Sequence, residues 1–218
     1  MSPVLKRLVD LVLTALALLV AGPVMALVAM AVLVSMGRPV LFRQSRLGRD
    51  GKPFTVLKFR SMSVGGGDGP GSDAGRLTRL GRWLRDTSLD ELPSLWNVLR
   101  GDMSLVGPRP LPVQYRSRYT PQQFRRHLVR PGLTGLAQVN GRNGLAWEEK
   151  FRYDVWYVDN HTLLLDLRIM LRTAMTVFRR EGITAPGSAT AHEFLGSESD
   201  VACHVSSTPT GAPGGRTS

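Results

Sequence analysis

The polar and apolar positions of this chain fall into very unequal blocks. Leu11 to Val34 is an apolar run of 24 residues with Thr14 as its one polar member. About 20 such residues suffice to cross a bilayer, whereas the apolar core of a cleaved signal peptide runs to about 7–15. A membrane helix is therefore expected. Lys6 and Arg7 precede the run, and Arg38, Arg43, Arg46, Arg49, Lys52, Lys58 and Arg60 follow it. A simple span puts one cationic flank outside, against the positive-inside bias. Gly22-Pro23 stands at the centre of the run. Proline removes a backbone donor and clashes with the preceding turn, and glycine eases the bend. Together these features predict a re-entrant helix-break-helix, broken at Gly22 and Pro23, with both ends facing the cytoplasm. Asp10, at the mouth of the run, is either paired with a flanking cation or solvated at the interface.

The pattern then changes. Val40–Phe42 and Phe54–Phe59, on either side of Asp50-Gly51-Lys52-Pro53, predict a short β-hairpin. Residues 64–75 are glycine-rich and read as a flexible loop. Arg76–Arg85 predicts an amphipathic helix, with Leu77, Leu80 and Leu84 on one face and Arg76, Arg79, Arg82 and Arg85 on the other. Such a helix suits a membrane interface, with Trp83 at its margin, or else packs with a solvated basic face. Leu92, Leu95, Trp96 and Leu99 recur at helical spacing and are expected to point inward. Helices are also expected near Pro121–His127 and over Trp147–Asn160 and Leu163–Arg180. Pro131-Gly132 and Asn140-Gly141 mark turns. From Gly182 the composition shifts to Gly, Ser, Thr, Pro and Ala, and Thr184–Ser218 is expected to be disordered. The pattern predicts an α+β, mostly helical protein. Residues 1–37 form the membrane anchor, 38–183 a catalytic domain with interfacial amphipathic helices, and 184–218 the tail.

Charge narrows the partners. The 218 residues carry 28 Lys+Arg against 17 Asp+Glu, a net +11. That balance points to nucleic acid, anionic lipid or phosphate-bearing substrates. The cations are spread over many segments, no nucleic-acid motif is present, and the long apolar run has no place in such a reading, so nucleic acid is not expected. A lone Cys203 excludes a disulfide framework and a Cys-based zinc site. Four widely spaced histidines make a His-rich metal site unexpected. There is no P-loop lysine motif, no G-x-G-x-x-G and no H-E-x-x-H.

Candidate chemistry concentrates in Arg85-Asp86-Thr87-Ser88-Leu89-Asp90-Glu91-Leu92-Pro93. Ser88-x-x-Glu91 has the spacing of a capping box, which needs no function. Pro93 argues against a cap at Ser88, because its missing donor would fall beyond the first turn. A start at Leu89 or Asp90 tolerates Pro93 and puts Asp90 at the positive end of a helix dipole. A carboxylate there can bind Mg²⁺ or attack phosphorus. Both readings stand on the residues alone. Val106-Gly107-Pro108-Arg109-Pro110 holds one arginine between two prolines, suited to bidentate grip on phosphate or simply a surface turn. Lys58-Phe59-Arg60 ends a strand.

Three segments carry a resemblance: PVLFRQSRLGRDGKPFTVLKFRSM, RLTRLGRWLRDTSLDELPSLWNVLRGDMSLVGPRP and RPGLTGLAQVNGRN. With the N-terminal KR-x-x-D and the proline-broken apolar segment, they resemble the bacterial sugar transferases, the monotopic phosphoglycosyltransferases, in their minimal catalytic form. The similarity runs over roughly residues 4–180. It implies transfer of a sugar-1-phosphate from a UDP-sugar to a polyprenyl (undecaprenyl) phosphate. The products are UMP and a polyprenyl diphosphate sugar, the first membrane step of a surface glycan such as an exopolysaccharide. It implies Mg²⁺, a nucleophilic Asp90 that also lies on the metal, and Glu91 as its dyad partner. Arg109 matches a phosphate ligand in the family's PRP loop, and Arg85 matches the arginine five residues before its dyad and is expected at the phosphates. Lys58 and Arg60 are expected to assist with charge, and Gln138 and Arg142 to contact nucleotide or sugar. The family's membrane break is Ser-Pro, and Gly22-Pro23 stands in its place here. The implied location is the bacterial cytoplasmic membrane, with the catalytic domain on its cytoplasmic face. Membrane lipids and a second copy of the chain are candidate partners. The rival is a membrane-anchored, non-catalytic scaffold of a glycan assembly complex.

Overall fold

The computed structural model describes residues 2–63, 73–141, 144–179 and 193–196. It is mostly helical, with two small sheets and one long apolar N-terminal helix. That helix, α1 (Pro3–Met36), begins with proline in its first turn, where no amide donor is needed. It continues through Gly22-Pro23, where a break was expected. A proline inside a helix forfeits one hydrogen bond and bends the axis; it need not end the helix. The middle of α1 is bare: Leu16, Leu19, Val20 and Leu27 are all more than half exposed.

The two ends of α1 are held by the rest of the protein. At the first end, Lys6 Nζ pairs with Asp166 Oδ2 at 2.6 Å. Arg7 donates to the carbonyls of Val98 (2.6 Å) and Leu99 (2.8 Å), at the C-terminal end of helix α4 (Leu95–Arg100). Asp10 is buried and accepts from the Ser104 hydroxyl (2.8 Å) and the Leu105 amide (3.3 Å). It is neither solvated nor paired with a cationic flank. At the far end, Val28 and Val32 pack with Phe59 and Leu84 in one apolar cluster.

β1 (Leu41–Leu47) and β2 (Pro53–Phe59) form an antiparallel hairpin, longer than expected, turning over Gly48–Lys52. Residues directly opposite share a face, so Phe42, Gln44, Arg46, Phe54, Val56 and Lys58 lie on one side. The short helix α2 (Asp73–Arg76) precedes α3 (Arg79–Asp86). The single helix expected over Arg76–Arg85 is interrupted at Leu77-Thr78, where Leu77 bridges to Met62 and Thr78 caps α3. Within α3 Leu84 is buried as the amphipathic pattern predicted, while Trp83, expected at the margin, is exposed. α4 departs from the pattern. Leu95 and Val98 point inward, but Trp96 is 54 % exposed. The polar Asn97 takes the inner position, because its amide completes the edge of β2. It donates to Thr55 O (2.7 Å) and accepts from the Leu57 amide (3.1 Å).

A second sheet was not foreseen. β3 (Ser104–Val106) pairs in parallel with β4 (Gly132–Thr134). Short helices α5 (Pro121–Phe124) and α6 (Leu136–Val139) and the longer α7 (Trp147–Asn160) and α8 (Leu163–Arg179) complete the domain. Tyr157, Ile169 and Val106 are its best-buried cluster. The loop expected over 64–75 lies outside the described residues up to residue 72. So does the expected tail, apart from residues 193–196. There Phe194 is 1 % exposed and packs against Tyr115, Tyr119, Trp147 and Phe151, a contact that tail composition does not foretell.

Candidate active site

Ser88 sits in the left-handed region (φ 57°) and turns the chain into a single 3₁₀ segment, Leu89–Ser94. Its side chain makes no cap, so the capping box read from the spacing is not formed. The tight segment explains Pro93: the regular helix α4 starts only at Leu95. Ser94 Oγ donates to Leu57 O at 2.7 Å, which with Asn97 ties the segment to β2. Lys58, on that strand, is thereby brought to the Asp90-Glu91 pair.

The two carboxylates have different surroundings. Glu91 Oε1 accepts from Lys58 Nζ at 2.5 Å and from Arg109 at 2.8 Å. Burial opposes ionisation of Glu91, but the charges and hydrogen bonds of Arg109 and Lys58 outweigh it. Its carboxyl is held far below the usual range. Asp90 is 8 % exposed and takes no ion pair from the described residues. Burial and the neighbouring Glu91 charge raise it to about 6, against the pull of Lys58, Arg85 and Arg109. One member of the dyad is thus a fixed anion tied to two cations. The other is a buried, weakly held carboxylate that ionises near neutrality.

Arg109 reaches Glu91 from the proline-flanked loop that follows β3. That loop lies backbone to backbone on the Arg130–Gly135 stretch. A Cβ on Gly132 would stand 2.1 Å from Gly107 N, and one on Gly135 2.2 Å from Gly107 O. The sequence RPGLTG is therefore a seat for the arginine loop. A cleft opens beside Glu91, lined by Arg46, Lys58, Arg109, Met103 and Leu133 among others. Arg46 was not singled out from sequence. It donates to Gln44 and to Pro110 O (3.0 Å), and burial and the nearby Arg109 charge lower it to about 10, so it stays charged. The signal was available: Arg46 and Lys58 fall on one face once the hairpin register is drawn.

The structure brings together Asp90, Glu91, Lys58 and Arg109. Arg85, one turn before the dyad, bonds Ser61 Oγ at 3.0 Å and acts on Asp90 through its charge. Arg60, expected at the phosphates, points elsewhere. Its guanidinium donates to the carbonyls of Met36, Gly37 (2.8 Å) and Arg38 (3.1 Å). The free carbonyls at a helix end need donors, and α1 takes this arginine. Gln138 is not among the cleft-lining residues and donates locally to Leu133 O (3.2 Å). Arg142 lies outside the described residues. Gly22 and Pro23 lie in the exposed middle of α1, and no atom stands within 4 Å of where a Gly22 Cβ would be.

The residues present fit Mg²⁺ in one way. Among the described residues no three or more His, Cys, Asp or Glu side chains converge. Mg²⁺ is commonly held by one or two carboxylates together with substrate phosphates and water. With Glu91 committed to two cations, Asp90 is the carboxylate suited to that part.

A buried, unequal carboxylate dyad thus lies among cations in a domain joined to one long apolar helix. The chain belongs to the bacterial sugar transferase family, whose model matches residues 1–180. It is 50 % identical over 198 residues to "Uncharacterized sugar transferase EpsL" of Bacillus subtilis (strain 168), covering 89 % of this chain and 97 % of that protein. It is 43 % identical over 188 residues to the UDP-glucose:undecaprenyl-phosphate glucose-1-phosphate transferase of Klebsiella pneumoniae, covering 81 % of this chain and 40 % of the relative. It is 40 % identical over 200 residues to the undecaprenyl-phosphate galactose phosphotransferase of Salmonella typhimurium, covering 83 % and 42 %. The chain thus spans nearly all of the Bacillus protein and about two-fifths of the other two.

Proposed function

We propose that this chain transfers a sugar-1-phosphate from a UDP-sugar to undecaprenyl phosphate, with Asp90 as nucleophile. The observation that carries the reading is the unequal dyad. Glu91 is pinned and anionic, whereas Asp90 is buried, unpaired with any described cation, and able to lose its proton near neutral pH. Arg46, Lys58, Arg85 and Arg109 bring four positive charges against two carboxylates, a balance suited to a pyrophosphate. An oxygen of Asp90 attacks the sugar-bearing phosphorus. The new O–P bond forms as the bridging P–O bond breaks, and its electrons leave on UMP. An oxygen of the lipid phosphate then attacks the same phosphorus and frees Asp90, giving the polyprenyl diphosphate sugar. Donor and acceptor use one site in turn. Mg²⁺, held by Asp90 and the substrate phosphates, supplies charge neutralisation when bound.

The anchor supports the same reading. The exposed apolar middle of α1 suits lipid, and both of its ends touch one catalytic domain. Arg7 and Val32 are 25 residues apart, about 37 Å along a straight helix. A segment buried in a bilayer meets one small domain at both ends most simply by entering and leaving on one face. The proposed location is the cytoplasmic face of the bacterial cytoplasmic membrane, at the depth of the acceptor's phosphate.

The test uses full-length protein in nanodiscs with Mg²⁺ and undecaprenyl phosphate, and follows UMP release. The relatives' names put glucose and galactose donors first in the donor panel. UMP release with one donor, lost in Asp90→Asn, is expected. With labelled donor and no acceptor, label should stay on the wild-type protein. Equal release by Asp90→Asn would refute the nucleophile. Silence across the panel from folded protein would favour a scaffold.

A further inference from the structure

The loop that carries Arg109 has an unusual way of being fixed. Pro108 and Pro110 have no amide hydrogen, so the loop is gripped largely through its carbonyls. Gly132 N–H donates to Pro108 O at 2.9 Å, and Arg46 donates to Pro110 O at 3.0 Å. The carbonyl between them, that of Arg109 itself, accepts from Arg126 at 2.7 Å.

Arg126 is 2 % exposed. It gives two further bonds, 3.0 and 2.7 Å, to Asp154 Oδ2 on α7, itself 4 % exposed. The rings of Tyr119 and Phe151 stand 5.9 and 5.6 Å from the guanidinium carbon. Phe194 stacks on Tyr119 and meets Phe151 edge-on, closing this aromatic cover. A buried ion pair gives little net stability, and well-packed apolar residues commonly replace one without loss. Holding a charge pair here therefore calls for another reason.

We propose that Arg126 is a positioning residue. Oriented by Asp154 in a dry aromatic pocket, it fixes the Arg109 carbonyl and so aims the Arg109 guanidinium at Glu91 and the donor phosphates. The proposal rests on the reading above that Arg109 binds those phosphates.

The test measures UDP affinity, donor KM and thermal midpoint of the full chain in nanodiscs. The double replacement Arg126→Met/Asp154→Leu removes the charges together and keeps an unbranched chain at 126 and a side chain forked at Cγ at 154. It is expected to keep the thermal midpoint within a few degrees, yet weaken UDP binding and raise donor KM about tenfold. Added to Arg109→Ala, the same replacement should change UDP affinity less than twofold. If the double replacement does not fold, Arg126→Lys keeps the charge but lacks the fork that serves Asp154 and Arg109 together. It should show the same rise in KM. Wild-type affinity and KM in a folded variant overturn the positioning role. So does an equal tenfold loss in the Arg109→Ala background, which would show an effect that bypasses Arg109. Wild-type UDP affinity in Arg109→Ala alone overturns the phosphate role of Arg109, and the positioning role with it.

Discussion

Gly132→Ala tests the packing that seats the loop of Arg109, the arginine proposed to bind the donor phosphates. The added Cβ would lie 2.1 Å from Gly107 N, 2.3 Å from Thr134 O and 2.6 Å from Gly107 O. All three are backbone atoms and cannot swing aside. Ordinary contact begins near 3.4 Å, so β4 and the arginine loop must part by about 1.3 Å, the difference from 2.1 Å. Overpacking of this kind costs about 1–3 kcal/mol, roughly 2–12 °C for a domain of this size. The function should suffer more. Arg109 lies two residues from Gly107, and its 2.8 Å bond to Glu91 would stretch to about 4 Å, beyond any hydrogen bond. A misplacement of about 1 Å at reacting groups can cost about a hundredfold in rate. The assay is UMP release beside thermal unfolding in nanodiscs. Gly22→Ala is the control, because its Cβ meets nothing within 4 Å. A Gly132→Ala protein with both the wild-type midpoint and the wild-type rate would refute the seating argument.

Two further outcomes are expected. His127 is 4 % exposed, its Nδ1–H donates to Gly48 O (3.0 Å), and its Nε2 is buried without a partner among the described residues. Burial, then the Arg126 charge, lowers it to about 4. The neutral ring's contribution is complete above the unfolded value of about 6.5 and is lost as pH falls from there toward 4, about 3 kcal/mol in all. His127→Gln keeps a donor for Gly48 and does not titrate, so its unfolding midpoint should fall less over that range; identical slopes would count against the assignment. For the anchor, single cysteines at Ser2 and Arg38 in a Cys203→Ser background should react with an impermeant reagent only from the cytoplasmic side, and labelling of one from each side would establish a simple span.

Much of this protein is written locally. The anchor is legible because 24 apolar residues need no partner to declare themselves. The hairpin and the amphipathic α3 are legible because side-chain periods of 2 and 3.6 are properties of neighbouring residues. Pro93 rightly argued against a regular helix capped by the Ser88 side chain, but the segment is 3₁₀ with Pro93 as its fifth residue, so Asp90 does not open an α-helix. The motifs around Asp90-Glu91 and Arg109 marked the family. Expectation failed where a distant partner decides. Arg60 sits next to a site strand, yet its guanidinium serves the end of α1, 22 to 24 residues away in sequence. Trp96 had the apolar character of an inward residue, but Asn97 displaced it because β2 needed an edge partner.

The chain's own order of residues thus determined which segment is long and apolar enough to cross a membrane, which segments pair as a hairpin, and which side chains have the chemistry to handle phosphate. Tertiary structure decided what those side chains do. It brought Lys58 and Arg109, 33 and 18 residues from Glu91, onto the same carboxylate oxygen. It thereby made Glu91 a fixed anion and left Asp90 buried, with no ion pair among the described residues. It also tied Lys6 to Asp166 across 160 residues, so the long apolar helix and the rest of the protein share one set of contacts. The reason is electrostatic. An isolated aspartate and glutamate ionise alike, and only burial and the charges folded around them drive the two apart.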